Sequence, residues 1–118
     1  MTPLIRNILA DLPAALTGEV FENIVTSDSL CIERIVSNGQ ATAEGEWYDQ
    51  ARDEWILVLA GGADLLFEDA HEPQRLGAGD YTLIPAGCRH RVAWTDPKVK
   101  TVWLAVHFVS TRHAGSGA

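Results

Sequence analysis

From Leu30 onward, apolar and polar positions alternate with a period of two, in short runs broken by turn residues. The runs are Leu30–Ser37, Glu44–Gln50, Glu54–Ala60, Ala63–Asp69, Asp80–Pro85, His90–Thr95 and Val99–Val109. Between them stand Asn38-Gly39, Gly45, Gly61-Gly62, Gly77/Gly79, Pro85-Ala-Gly87 and Asp96-Pro97. Short strands with regularly spaced turn residues predict an all-β sandwich or small barrel and argue against a βαβ fold. The stretch before Leu30 has another texture. Val20, Phe21, Ile24 and Val25 recur at helical spacing, behind Thr17 as a candidate N-cap and Glu19 near the positive helix end. This predicts a short N-terminal helix covering the sheet. The expected organisation is one domain, with an extension over residues 1–29, a barrel over 30–109 and a flexible tail over 110–118.

Two strands say what surrounds them. In Glu54–Ala60 one face carries Glu54, Ile56, Val58 and Ala60, and the other Trp55, Leu57 and Leu59. In Thr101–Val109 one face carries Thr101, Trp103, Ala105 and His107, and the other Val102, Leu104, Val106 and Phe108. Both faces of both strands are too apolar to meet water along their whole length. One face should line an interior, and the faces holding Glu54 and His107 mix polar and apolar groups as a ligand cavity does. The other needs a second layer or a second subunit, and the N-terminal helix is too short to hide both strands, so a homodimer is expected.

Composition restricts the possible partners. A chain of 118 residues leaves room for one hydrophobic core. No apolar run nears the ~18–20 residues that span a bilayer, and the first twelve residues lack a leader's apolar region. A soluble, cytoplasmic protein without membrane partners is the expectation. The formal charge is −7, and residues 1–59 hold ten acids against three bases. Such a surface repels phosphate backbones, which argues against nucleic acid as a partner. Cys31 and Cys88 match no metal or redox spacing. A small-molecule ligand remains.

The most specific motif is Gly79-Asp-Tyr-Thr-Leu-Ile-Pro85-Ala-Gly87-Cys-Arg-His90. Gly79 permits a tight turn into a strand that Pro85 ends, and Gly87 permits a second turn before His90 opens the next strand. Upstream, Glu54 and Gly61 bracket six residues, giving an inward carboxylate on a strand that closes in a glycine turn. Together these resemble the two motifs of the cupin superfamily. The second, Gly-x5-Pro-x-Gly-x2-His, is complete; the first keeps only Glu54-x6-Gly61. The resemblance spans roughly residues 39–108 and implies an antiparallel jelly-roll barrel, often dimeric, with a site in the barrel mouth. It also implies a divalent metal such as Mn, Fe, Ni or Zn, held by two His and a Glu of the first motif and a His of the second.

Glu54 and His90 occupy two of those four positions. Where the family has His-x-His, this chain has Trp47-Tyr48-Asp49-Gln50. Strand alternation allows either Trp47 and Asp49 or Tyr48 and Gln50 to face inward, never both pairs. The working metal set is Glu54, His90 and Gln50, with Asp49, Tyr48, water or His107 as further donors. The working pocket adds Tyr48, Trp94 (where the family has Asn) and Trp103. His107 is the candidate acid–base group. Arg89 and Arg91, either side of His90, should point away from the pocket. The resemblance implies metal-dependent chemistry of a dioxygenase or isomerase kind on a small organic molecule. The loss of the histidine pair supports a metal-free binding or sensing module as the alternative.

Overall fold

A computed structural model describes residues 1–14 and 17–110. The expected tail from 111 onward lies outside the described residues. Eight strands run in chain order as β1 (Val20–Thr26), β2 (Leu30–Ser37), β3 (Asp53–Ala60), β4 (Gly62–Phe67), β5 (Gln74–Gly77), β6 (Tyr81–Ile84), β7 (His90–Thr95) and β8 (Thr101–Phe108). All pairings between them are antiparallel. One sheet has the order β1-β2-β8-β3-β6 and the other β5-β4-β7. No described helix is long and apolar enough to cross a membrane.

Three expectations need correction. The predicted N-terminal helix is strand β1, paired with β2 from Val20↔Val36 to Thr26↔Cys31. Its apolar residues are β-branched or aromatic, types that favour a pleated sheet. A register shift between Asn23 and Val25 breaks the two-residue alternation, and that break imitates helical spacing in the sequence. The expected strand Glu44–Gln50 is reduced to one bridge, Tyr48↔His90. Glu44, Glu46 and Asp49, with Gly45 among them, leave this stretch little to bury as a strand. In consequence the barrel is not closed. The two sheets form an open jelly-roll sandwich, since among the described residues no strand ladder joins one to the other.

The core lies between the sheets. Ile56 and Val58 of β3, Leu65 of β4 and Trp103 and Ala105 of β8 are almost wholly buried there. The alternation predicted for β3 and β8 holds at these positions. The β3–β4 turn is Gly61, at φ +80°. A Cβ there would stand 2.6 Å from the Thr101 Cα, so β8 can pass this close only behind a glycine. Thr101 fastens the turn, its hydroxyl donating to the Gly62 carbonyl at 3.0 Å and accepting from the Gly62 amide at 3.1 Å.

On the outward face of the larger sheet, Arg34 holds the N-terminal segment. Its guanidinium donates to the Ile8 carbonyl at 3.0 Å, the Ala10 carbonyl at 2.7 Å and the Glu22 carboxylate at 2.8 Å. Lys100 donates to the Pro13 carbonyl. On this face the cross-strand pair Val36 and Val102 is fully buried. The far side of the sheet stays uncovered: Tyr81 and Leu83 of β6, paired with Leu57 and Trp55, are exposed.

Candidate functional site

A cavity of about 80 Å³ opens between the sheets, with Ile35, Ile56, Leu65 and Ile84 among its apolar walls. Its polar groups come from six places in the chain, the residue before β1 presenting Glu19. Inward positions of β2, β3 and β8 present Glu33, Glu54 and His107, β7 presents His90, and the segment before β3 presents Tyr48 and Gln50. Glu54 and His107 are direct partners across the β3–β8 ladder. Glu33 lies two positions from Cys31, the β2 partner of His107, and so reaches His107 diagonally.

These groups form a chain of contacts. His107 Nε2 is 2.8 Å from Glu33 Oε1 and 3.8 Å from Glu54 Oε2. Glu54 Oε1 is 3.5 Å from His90 Nε2. The first is a short charge-assisted hydrogen bond; the other two exceed the ~2.7–2.9 Å of such bonds and leave Glu54 with acceptor capacity. Glu54, His90 and His107 are all buried. The sequence predicted that Glu54, His90, Gln50, Tyr48, Trp103 and His107 would meet, and all six line this cavity.

Each histidine has one ring nitrogen aimed by the fold. The Nδ1–H of His90 donates to the Cys88 carbonyl at 2.9 Å, which turns Nε2 toward Glu54. Burial by itself would push the His90 pKa down; the hydrogen bond to Glu54, the Cys88 carbonyl and the Glu54 charge outweigh it and raise the value. Tyr48 exchanges two backbone hydrogen bonds with His90, at 2.7 and 3.1 Å, and their rings lie 5.6 Å apart. Its phenol pKa is raised by burial and by Glu19, Glu54 and Glu46, against a smaller opposing effect of Thr42. The phenol therefore stays protonated as a donor. Trp103 is fixed as a wall by donating Nε1–H to the Ser37 hydroxyl, which in turn donates to the Glu19 carboxylate.

Trp94 does not join them. Strict alternation from His90 would bring positions 92 and 94 inward, and Val92 does line the cavity. A register shift pairs Leu65 with Val92 but Asp64 with Trp94, so the strand gains a residue and Trp94 turns outward. There its ring lies 4.4 Å beneath the Arg75 guanidinium, which also pairs with Asp64. Thr95 becomes the buried residue instead. Of the two open registers before β3, Tyr48 and Gln50 face the cavity, while Trp47 lies 6.0 Å from Arg89. Arg89 pairs with Glu68 and Arg91 donates to the Thr42 carbonyl, so neither lines the cavity.

Sequence reasoning missed Glu33 and Glu19. A signal for Glu33 was present: in Leu30–Ser37 the alternation puts it on one face with Ile35 and Ser37, an acid among inward positions. Glu19 had no such signal, because its place follows from β1 pairing with β2.

The donor set does not fit the divalent metal that the resemblance implies. Among the described residues no three His, Cys, Asp or Glu side chains converge on one point. The histidine pair is replaced by a protonated phenol and an amide, and His107 Nε2 is already held by Glu33. Gln50 Oε1 is buried without a hydrogen-bond partner, but an amide oxygen alone is a weak ligand for such metals.

A family model for the cupin domain matches residues 35–107. No curated protein sequence matches the chain. Among solved structures, a protein from Ralstonia eutropha JMP134 described as a "putative mannose-6-phosphate isomerase" is 45% identical, superposes with TM-score 0.89, and is matched over 92% of this chain and 100% of its own. A cupin superfamily protein from Desulfitobacterium hafniense DCB-2 is 20% identical, with TM-score 0.73 over 92% of this chain and 94% of that one. A polyketide cyclase from Streptomyces resistomycificus is 19% identical, with TM-score 0.67 over 80% of this chain and 67% of that one. The last two share the fold.

Proposed function

Since this chain belongs to the cupin family, we propose that it binds a small organic molecule in the inter-sheet cavity and moves a proton on it, in the manner of an isomerase. The observation that carries this reading is the contact chain Glu33–His107–Glu54–His90 inside an apolar-walled cavity. Two carboxylates and two imidazoles in low-dielectric surroundings supply both partners of general acid–base chemistry. Glu54, loosely held from both sides, takes the proton from the ligand. His90, turned toward the cavity by Cys88 and charged more readily than a free imidazole, donates one. Glu33 orients His107 through their 2.8 Å contact. The isomerase description of the Ralstonia protein agrees with this chemistry. Incubation with small hydroxy-carbonyl compounds in D2O tests the reading. Deuterium should enter at carbon, and Glu54→Gln should abolish it. Ligand binding without any exchange would leave the metal-free binding module as the correct reading.

The cytoplasmic homodimer expected from the strand faces belongs to the same proposal. Trp55, Leu57, Tyr81 and Leu83 form an apolar surface at the β6 edge, and Phe21, Ile24 and Val25 are exposed on β1 at the opposite edge. Apolar residues grouped this way on a small protein suit a symmetric contact between copies.

A further inference from the structure

The electrostatics of the cavity say what kind of ligand it takes. Its charged lining consists of three carboxylates, Glu19, Glu33 and Glu54, and two histidines. Among the described residues no lysine or arginine lines it. Four cations are engaged elsewhere: Arg34 under the N-terminal segment, Arg75 with Asp64, Arg89 with Glu68, and Arg91 on the Thr42 carbonyl. Arg52, between Gln50 and Glu54 in the chain, stands outside the lining. Even with both histidines protonated, three negative charges against two positive leave the lining at −1. With neutral histidines it is −3.

Sites for phosphate and carboxylate groups most often use a guanidinium, an ammonium or a helix N-terminus, and otherwise an imidazolium or a backbone nest. The described part of this chain has no helix, and its cavity has neither cation. The surplus is of acceptors. Three carboxylates and the unpartnered Gln50 Oε1 face a ligand, against the Tyr48 hydroxyl and the imidazole N–H groups as donors. The free volume of about 80 Å³ is roughly half of the ~150 Å³ that encloses benzene, so only a few heavy atoms are enclosed and the rest reach the open mouth.

We propose that the ligand is a small, donor-rich carbonyl compound of neutral or positive charge, carrying hydroxyl or amino groups, and not a phosphate ester or carboxylate. This rests on the cavity being the binding site, as in the reading above. It departs from what the Ralstonia protein's description would suggest for this chain, since mannose 6-phosphate carries a dianion. A phosphate held within ~5 Å of a lining with surplus negative charge is repelled with little screening.

The test is a matched series followed by NMR on the full-length protein: 1-propanol, 1,2-propanediol and propylamine against propionate and propyl phosphate, with mannose and mannose 6-phosphate as larger members. The His90 and His107 ring resonances report occupancy. The neutral and cationic members should bind at least tenfold more tightly than their anionic counterparts. Glu19→Gln should narrow that gap several-fold, since it removes one charge while leaving the histidines in place. Tighter or equal binding of the anions overturns the proposal. So does phosphate binding that depends on added Mn2+, because the carboxylates would then be a metal seat. An anionic preference with shifted histidine resonances would leave the acid–base reading standing. Failure of every compound to move either resonance at tens of millimolar would overturn both.

Discussion

The contact between Glu33 and His107 can be tested for its energy before any substrate is known. The two side chains are 15% and 10% exposed and their atoms stand 2.8 Å apart, so solvent screens the pair little. Hydrogen bonds that involve a charged group are worth about 1.5–3 kcal/mol, and losing one buried partner costs about 1–3 kcal/mol for the group left behind. Glu33→Ala strands a buried imidazole N–H, and His107→Leu strands a buried carboxylate. Each should lower stability, and the double variant should lose less than the two added together. The expected coupling is about 1.5–3 kcal/mol. With a urea m-value of about 2 kcal/mol/M, each single variant should unfold at a midpoint roughly 1 M below the parent. A parallel cycle of Glu54→Ala with His107→Leu should give a smaller coupling, because that contact is 3.8 Å. Urea unfolding followed by tryptophan fluorescence measures all of these. Additivity within about 0.5 kcal/mol in the Glu33 cycle would refute the pairing, and with it the role of Glu33 in orienting His107.

Other outcomes follow from the same geometry. Gly61→Ala should destabilise by about 2–5 kcal/mol, from the left-handed backbone (~1–2 kcal/mol) and the displacement of β8 from Thr101 (~1–3 kcal/mol); thermal or urea unfolding measures it. The His90 pKa is raised in the folded state, so its charge stabilises the fold fully below the unfolded value near 6.5. That stability is lost as pH rises through the folded value, and Glu54→Gln should remove this dependence in unfolding curves taken between about pH 5 and 9. Light scattering should report about twice the 12.9 kDa chain mass, and Leu83→Glu should return it to the monomer; a parent that stays monomeric as concentration rises would overturn the dimer. Metal analysis after equilibration with Mn, Fe, Ni or Zn should find weak, substoichiometric binding that disappears in the Glu54→Ala/His90→Ala double variant. A tightly held full equivalent would show that the side chains rearrange into a metal site.

Much of the site was legible in the chain because it rests on local rules. The period-two alternation in β3 and β8 is a property of the extended backbone, and it placed Glu54, Trp103 and His107 inward without knowledge of any partner strand. The turn around Gly79, Pro85 and Gly87 follows from backbone freedom and ring constraint at single residues, and it positioned His90. What failed was each inference that needed a neighbour. Trp94 obeys alternation until the register with β4 shifts, and that shift belongs to the pair of strands, not to either sequence. The apolar spacing of β1 fits a helix until β2 offers its edge. Glu33 reads as one more strand residue, and only the β2–β8 register sets its carboxylate against His107. Whether the sheets close into a barrel was likewise undecidable locally, since it depends on whether the acidic segment before β3 pairs along its length or at Tyr48 alone. The sequence by itself determined which residues turn inward on β3 and β8; the pairing of strands, which is non-local, decided which residues turn inward on β1 and β7 and which inward residues touch.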